Sequence, residues 1–212
     1  MFRSGHRKSA PRVVGGKTRR KNRTARTQTY FNTPQVTPVI DRFRPGEGFR
    51  HVLTRQDIRE FIELLPDWQH LSQGLRAVIL APGDLTCYGW YRHTGIIALC
   101  AWPRDLWCRW TPRAERERPF FDRLRVSMQY DEDWNLIARW TESTIRAFML
   151  LDVFLHELGH HHDRMNTRSK RGCARGEGYA ERYAQRHGNL LWNRYIERFG
   201  LPWADEPRTL IS

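Results

Sequence analysis

The spacing of apolar residues divides the chain into a polar beginning and a patterned remainder. Apart from Val13 and Val14, no large apolar residue interrupts positions 3–29. Helical spacing first appears at Ile58, Phe61, Ile62 and Leu65. Thr54 and Asp57 form a helix-start pair ahead of this run, and Pro66 stops it. Leu75–Ala81 is a short apolar run closed by Pro82-Gly83, which predicts a buried strand. Cys87–Arg92 and Ile96–Trp102 flank His93-Thr94-Gly95 and predict a hairpin. Residues 103–119, rich in Pro, Arg and Trp, read as an ordered loop. Leu124–Tyr130 and Trp134–Trp140 flank Asp131-Glu132-Asp133 as a second hairpin.

Helical periodicity then takes over. Thr141 is placed to cap a long helix running through Phe148, Leu151, Leu155 and Leu158 to about Arg164. A basic, glycine-containing loop at 165–176 follows. Glu177–His187 is again helical, Asn189–Phe199 continues or restarts that helix, and Gly200 and Pro202 end it. The expectation is an α+β fold: a small, mainly antiparallel sheet, a long helix, and a following helix that bears Glu177.

Charge sharpens the boundary at the start of the chain. Of the net +13, ten units come from Lys and Arg at positions 3–26, and no acidic residue precedes Asp41. A basic stretch this poor in apolar side chains cannot offset its ordering entropy by burial. Residues 1–38 are therefore expected to be a disordered basic tail, and 39–212 the folded domain, with Thr33–Pro45 as the link. Such a tail suits nucleic acid, whose phosphates release counterions to Arg and Lys, or another acidic partner. It also suits a plain solvated end.

No apolar run is long enough to span a membrane, and the N-terminus lacks the apolar core of a secretory signal. The four cysteines, Cys87, Cys100, Cys108 and Cys173, show no CxxC pairing. This argues against a zinc site made of cysteines alone and favours a reduced, cytoplasmic setting.

The chemistry concentrates at His156-Glu157-Leu158-Gly159-His160. On a helix, imidazoles four residues apart lie one turn apart on one face and can share a single tetrahedral ion, with Zn2+ the expected metal. Glu157, directed differently, can take a proton from water activated by that ion. Gly159 lets another backbone approach beside the site.

A third ligand is required. His161 and His162 point to other faces, and with Asp163 they read as a polar helix end; His187 reads as structural or surface. Glu177 is the better candidate, with Glu181 one turn later able to hydrogen-bond a ligating histidine. The opposite assignment, Glu181 as ligand, stays open. Ala180 and Ala184 keep this second helix slim enough to pack closely.

HExxH followed by Glu177-Gly178-Tyr179-Ala180-Glu181-Arg182-Tyr183-Ala184 resembles the glutamate-type zincin metallopeptidases, the gluzincins. The resemblance is to their small single-domain kind, the IrrE/ImmA-like peptidases, whose second motif is E-x-x-A-x-x-[FY]-A. It covers about residues 141–187. It implies His156, His160 and Glu177 as zinc ligands, Glu157 as general base, Glu181 behind the ligands, and a peptide or protein as substrate. It further implies that an edge strand above the metal binds substrate backbone, a role open to Ile96–Trp102 if that strand is not interior. SprT-like proteases are similar in outline but use a third histidine where this chain has glutamate.

The transition-state donor could be Tyr179, Tyr183, Tyr91 or His93. Trp90, Tyr91, Trp102, Trp107 and Trp110 read as packing residues. The rival function is a nucleic-acid-associated binding protein whose metal site is structural or vestigial.

Overall fold

A computed structural model describes residues 28–109, 119–133, 136–167 and 174–203, together with two paired strands, β1 (Arg12–Val14) and β2 (Lys17–Arg19). Trp110, Trp134, Cys173 and the rest of residues 1–27 lie outside the described residues.

The remaining strands are β3 (Val39–Arg42), β4 (Phe49–Arg50), β5 (Ala77–Ala81), β6 (Gly89–Arg92), β7 (Ile96–Cys100), β8 (Trp102–Pro103), β9 (Trp107–Arg109), β10 (Ser127–Tyr130) and β11 (Leu136–Arg139). Helices α1 (Arg55–Leu64) and α2 (Trp68–Leu71) join β3 to β5. Helix α3 (Glu142–Phe148) runs through a π-helical segment, Met149–Phe154, into α4 (Leu155–Asn166). Helix α5 (Gly176–Phe199) follows. The chain is thus mixed α+β, with small sheets and several helices among the described residues.

Both anticipated helix starts are made by reciprocal capping. Thr54 Oγ1 accepts from the Asp57 amide at 3.1 Å, and Asp57 accepts from the Thr54 amide at 2.7 Å. Thr141 and Thr144 make the same exchange at α3. Helix α5 is continuous through Gly188, and Gly200, at φ +83°, ends it.

The principal sheet has the order β3-β5-β7-β6. Only β6–β7, the anticipated hairpin, is antiparallel; β3–β5 and β5–β7 are parallel. The expectation of a mainly antiparallel sheet is corrected here. β3 lies in the stretch read as a link, and the α1–α2 segment returns the chain to lie alongside it, as a parallel pairing requires. The smaller sheets do pair antiparallel. The second hairpin forms as β10–β11, and β9, from the anticipated loop, adds a third strand to it.

All ten residues of β5 and β7 are buried, as in strands covered on both faces. Val78, Leu80, Ile97 and Leu99 face the large core beneath the helices. Ala77, Ile79, Ala81, Ile96, Ala98 and Cys100 face a smaller cluster that includes Tyr30. Tyr30, assigned by sequence to the basic tail, packs on the sheet and donates its hydroxyl to Asp41 at 2.6 Å. β7 is therefore an interior strand, and β6 is the edge next to α4.

The stripe Phe148, Leu151, Leu155 and Leu158 is at most 1% exposed, and Met149, Leu150, Val153 and Phe154 are buried as well. Apolar on nearly every side, this stretch is the central helix, with the sheet and α5 packed around it. Each such Leu or Phe contributes about 1.5–3 kcal/mol on full burial. Among the described residues no helix is long and apolar enough to cross a membrane.

Candidate metal centre

Helices α4 and α5 pack antiparallel, and their closest approaches explain the site. A Cβ added at Gly159 would lie 2.9 Å from Ala180 Cα and 3.0 Å from Tyr183 Cβ. One added at Gly188 would lie 2.8 Å from the Leu151 carbonyl oxygen, within the π segment. Glycine at both points, facing Ala180 on one helix and bare backbone on the other, lets the axes come close. This matches the reading of Gly159 and Ala180 from sequence.

Close packing brings the start of α5 to the histidine face of α4. His156 Nε2 lies 3.1 Å from His160 Nε2 and 3.1 Å from Glu177 Oε2, and His160 Nε2 lies 3.4 Å from Glu177 Oε1. Four-coordinate zinc with ligand bonds of 2.0–2.1 Å sets neighbouring ligand atoms roughly 3.3 Å apart. Two imidazole nitrogens and one carboxylate at these separations therefore fit such an ion, and they form the one group of this kind among the described residues.

The two histidine side chains are 11% and 12% exposed, whereas that of Glu177 is 74% exposed. The centre is walled by protein on one side and open on the other. A cleft of about 550 Å³ reaches it, lined by Phe120, Leu151, Asp152, His156, Glu177 and Glu181 among others. Glu181 is exposed one turn beyond Glu177 and lines this cleft.

Glu157 is 5% exposed and turns toward the edge strand, where a Cβ at Gly89 would stand 3.5 Å from Glu157 Cγ. The two candidate ligands thus sit on one face of α4 and the acid–base candidate on another.

The residues after His160 are not a polar helix end. His161 is 1% exposed and Asp163 is 0% exposed. His161 Nε2 lies 3.0 Å from the Gln73 carbonyl, which can only accept, so Nε2 carries the hydrogen. Nδ1 then accepts from the Tyr91 hydroxyl at 3.1 Å. Burial pushes the His161 pKa down to about 4, which keeps the ring neutral. His162 pairs similarly, with Nδ1 2.7 Å from the Tyr179 hydroxyl, and burial followed by the nearby Arg175 charge lowers its pKa.

Of the suggested transition-state donors, Tyr91 and Tyr179 therefore commit their hydroxyls to histidines. Tyr183 is 7% exposed, stacks on His187 at 4.0 Å, and has its pKa pushed up to about 12 by burial. His187 is structural: its Nδ1–H donates to the Tyr183 carbonyl at 2.9 Å.

Asp163 accepts from the backbone amide and from Nε of Arg175, each at 2.8 Å. Sequence reasoning missed this pair, and the only available signal was an acidic residue facing a basic loop. Trp102 does pack as expected, stacked 5.1 Å from Tyr88, whereas Trp107 is 39% exposed. The Cys87 and Cys100 sulfurs lie 4.0 Å apart, and Cys108 Sγ meets the Tyr88 hydroxyl and the Trp140 indole N–H. No family model, curated protein or solved structure matches the chain.

Proposed function

We propose that this chain is a zinc-dependent metallopeptidase with a zincin-like fold of the gluzincin kind, hydrolysing peptide bonds in a peptide or protein substrate. One observation carries the reading: His156, His160 and Glu177, on two different helices, converge with ligand-like separations, and His156 and Glu177 line an open cleft. His156 and His160 supply imidazole nitrogens and Glu177 a carboxylate. This three-ligand set leaves a coordination position for reactants.

Zinc bound there would lower the pKa of a water molecule and polarise the scissile carbonyl. Glu157, buried against the edge strand, takes a proton from the attacking water as its oxygen bonds to the carbonyl carbon. It then returns that proton to the leaving amine as the C–N bond breaks. Glu181 stands behind Glu177 on the same helix face and supports the ligand shell. β6, rather than β7, is the edge strand available to substrate backbone.

The test is the metal content of the purified protein together with cleavage of a peptide library. Near-stoichiometric zinc is expected. Glu157→Gln should keep the zinc and lower turnover by about 10²–10⁴-fold. Full activity in that variant overturns the mechanism, and a wild-type protein that takes up no zinc overturns the reading.

The rival reading, a nucleic-acid-associated binding protein with a structural or vestigial metal site, is favoured by the ten basic residues at positions 3–26. It wins if the intact protein binds DNA or RNA with strong salt dependence and cleaves no peptide.

A further inference from the structure

Glu177 is held in an unusual way for a proposed ligand. Its side chain is 74% exposed, so packing does not fix its carboxylate. What fixes it is the placement of the first turn of α5, which begins at Gly176. Asp163 is the residue that ties the two helices together there. It is fully buried, and its carboxylate takes both the amide N–H and the Nε of Arg175, the N-cap residue of α5, at 2.8 Å each.

The grip extends past Glu177 on the other side. The Arg175 guanidinium lies over the Tyr179 ring at 4.1 Å, and the Tyr179 hydroxyl is 2.7 Å from His162 Nδ1. Two adjacent residues of α4, His162 and Asp163, therefore hold residues 175 and 179, which bracket Glu177.

We infer that Asp163 is a positioning residue for the metal centre: through Arg175 it sets the first turn of α5 and so carries Glu177 to His156 and His160. The inference rests on the metal reading above and adds a residue to it. Physically, a buried carboxylate is a costly way to join two helices, because an apolar contact of similar volume stabilises about as well. What the carboxylate adds is direction. It satisfies an amide at the helix start, where donors lack intrahelical partners and the helix dipole favours negative charge. The two-pronged bond fixes the axial position of α5, which a greasy contact leaves free to slide.

The experiment is a zinc titration of the metal-free, full-length protein against a chromophoric chelator. It compares wild type, Asp163→Asn, Glu177→Ala and the double variant, with thermal melting of each metal-free protein alongside. Asp163→Asn should weaken zinc binding on the order of tenfold or more. In the Glu177→Ala background it should add nothing, since no third ligand remains to be placed. A merely structural Asp163 would instead weaken binding by the same factor in both backgrounds. That result, or an Asp163→Asn affinity within about twofold of wild type, overturns the inference.

If Asp163→Asn does not fold, Arg175→Ala takes its place in the same cycle. Its side chain is 42% exposed, and Asp163 keeps the backbone amide bond. A several-fold loss that vanishes without Glu177 is then expected. Wild-type protein that binds no zinc overturns the metal reading and this inference with it. Tight wild-type binding that is weakened in Glu177→Ala but unchanged in Asp163→Asn and Arg175→Ala overturns only the inference.

Discussion

Four histidines crowd into seven residues of one helix, and they divide into two pairs with opposite fates. His156 and His160 aim their Nε2 atoms at each other and at a solvent-exposed carboxylate. His161 and His162 turn to other faces, and each meets a tyrosine hydroxyl; a carbonyl occupies the other nitrogen of His161. Residue type is the same in both pairs, so type does not assign the role. The surroundings do: a ring whose nitrogens both face uncharged hydrogen-bond partners is a neutral structural element, whereas rings whose lone pairs converge on a shared point are available to an ion.

The strongest way to break this comparison is to remove one member of each pair. His160→Ala should weaken zinc binding beyond the roughly 10–100-fold that a supporting residue carries. Its effect on the metal-free fold should stay within about 1 kcal/mol, as for a partly exposed site. His161→Ala should do the reverse, costing on the order of 2–4 kcal/mol in urea unfolding because buried partners are left unsatisfied, with zinc stoichiometry kept. If both variants lose metal alike, the division into pairs is wrong.

A smaller effect tests the helix contact that makes the first pair useful. Gly159→Ala gains up to about 1 kcal/mol of helix propensity but forces a methyl against the backbone of Ala180, and such overpacking costs about 1–3 kcal/mol. A net loss of stability is expected in denaturant unfolding, with weaker zinc binding as α5 is displaced. A stabilised variant with unchanged affinity would show that the close approach does not matter.

The smallest expected change sharpens the second pair. Tyr91→Phe deletes the hydroxyl facing His161 and should cost about 1 kcal/mol, with zinc affinity unaltered. A change in metal affinity on this substitution would mean that the edge strand communicates with the ligands.

Much of this was legible in the chain. Thr54 with Asp57 and Thr141 announce helix starts because capping is a local matter of side chains three residues apart. The shared face of His156 and His160 was legible because a spacing of four is a geometric statement about a helix. Val39–Arg42 was not, because a four-residue strand with two charged members carries too little pattern, and its parallel partner lies beyond two intervening helices. Tyr30 was hidden in a basic stretch whose average composition outweighed one aromatic residue. His161 and Asp163 looked like surface residues since nothing in their neighbourhood names Tyr91 or Arg175, which arrive from elsewhere along the chain. Long-range partners leave no local trace.

The π-helical segment Met149–Phe154 has a consequence for how this chain can vary. A π turn holds one residue more than an α turn closing the same stretch, and such insertions recur beside functional sites. Losing any one of these six residues would yield a more regular helix, with better hydrogen-bond geometry and an intact apolar composition. It would also rotate everything downstream by about 100°, the angle of one α-helical residue. His156 and His160 would then swing away from Glu177 while Phe148 and the sheet beneath it stayed in place. The phase between core and centre is therefore a count of residues, and local helical stability alone would favour the wrong count.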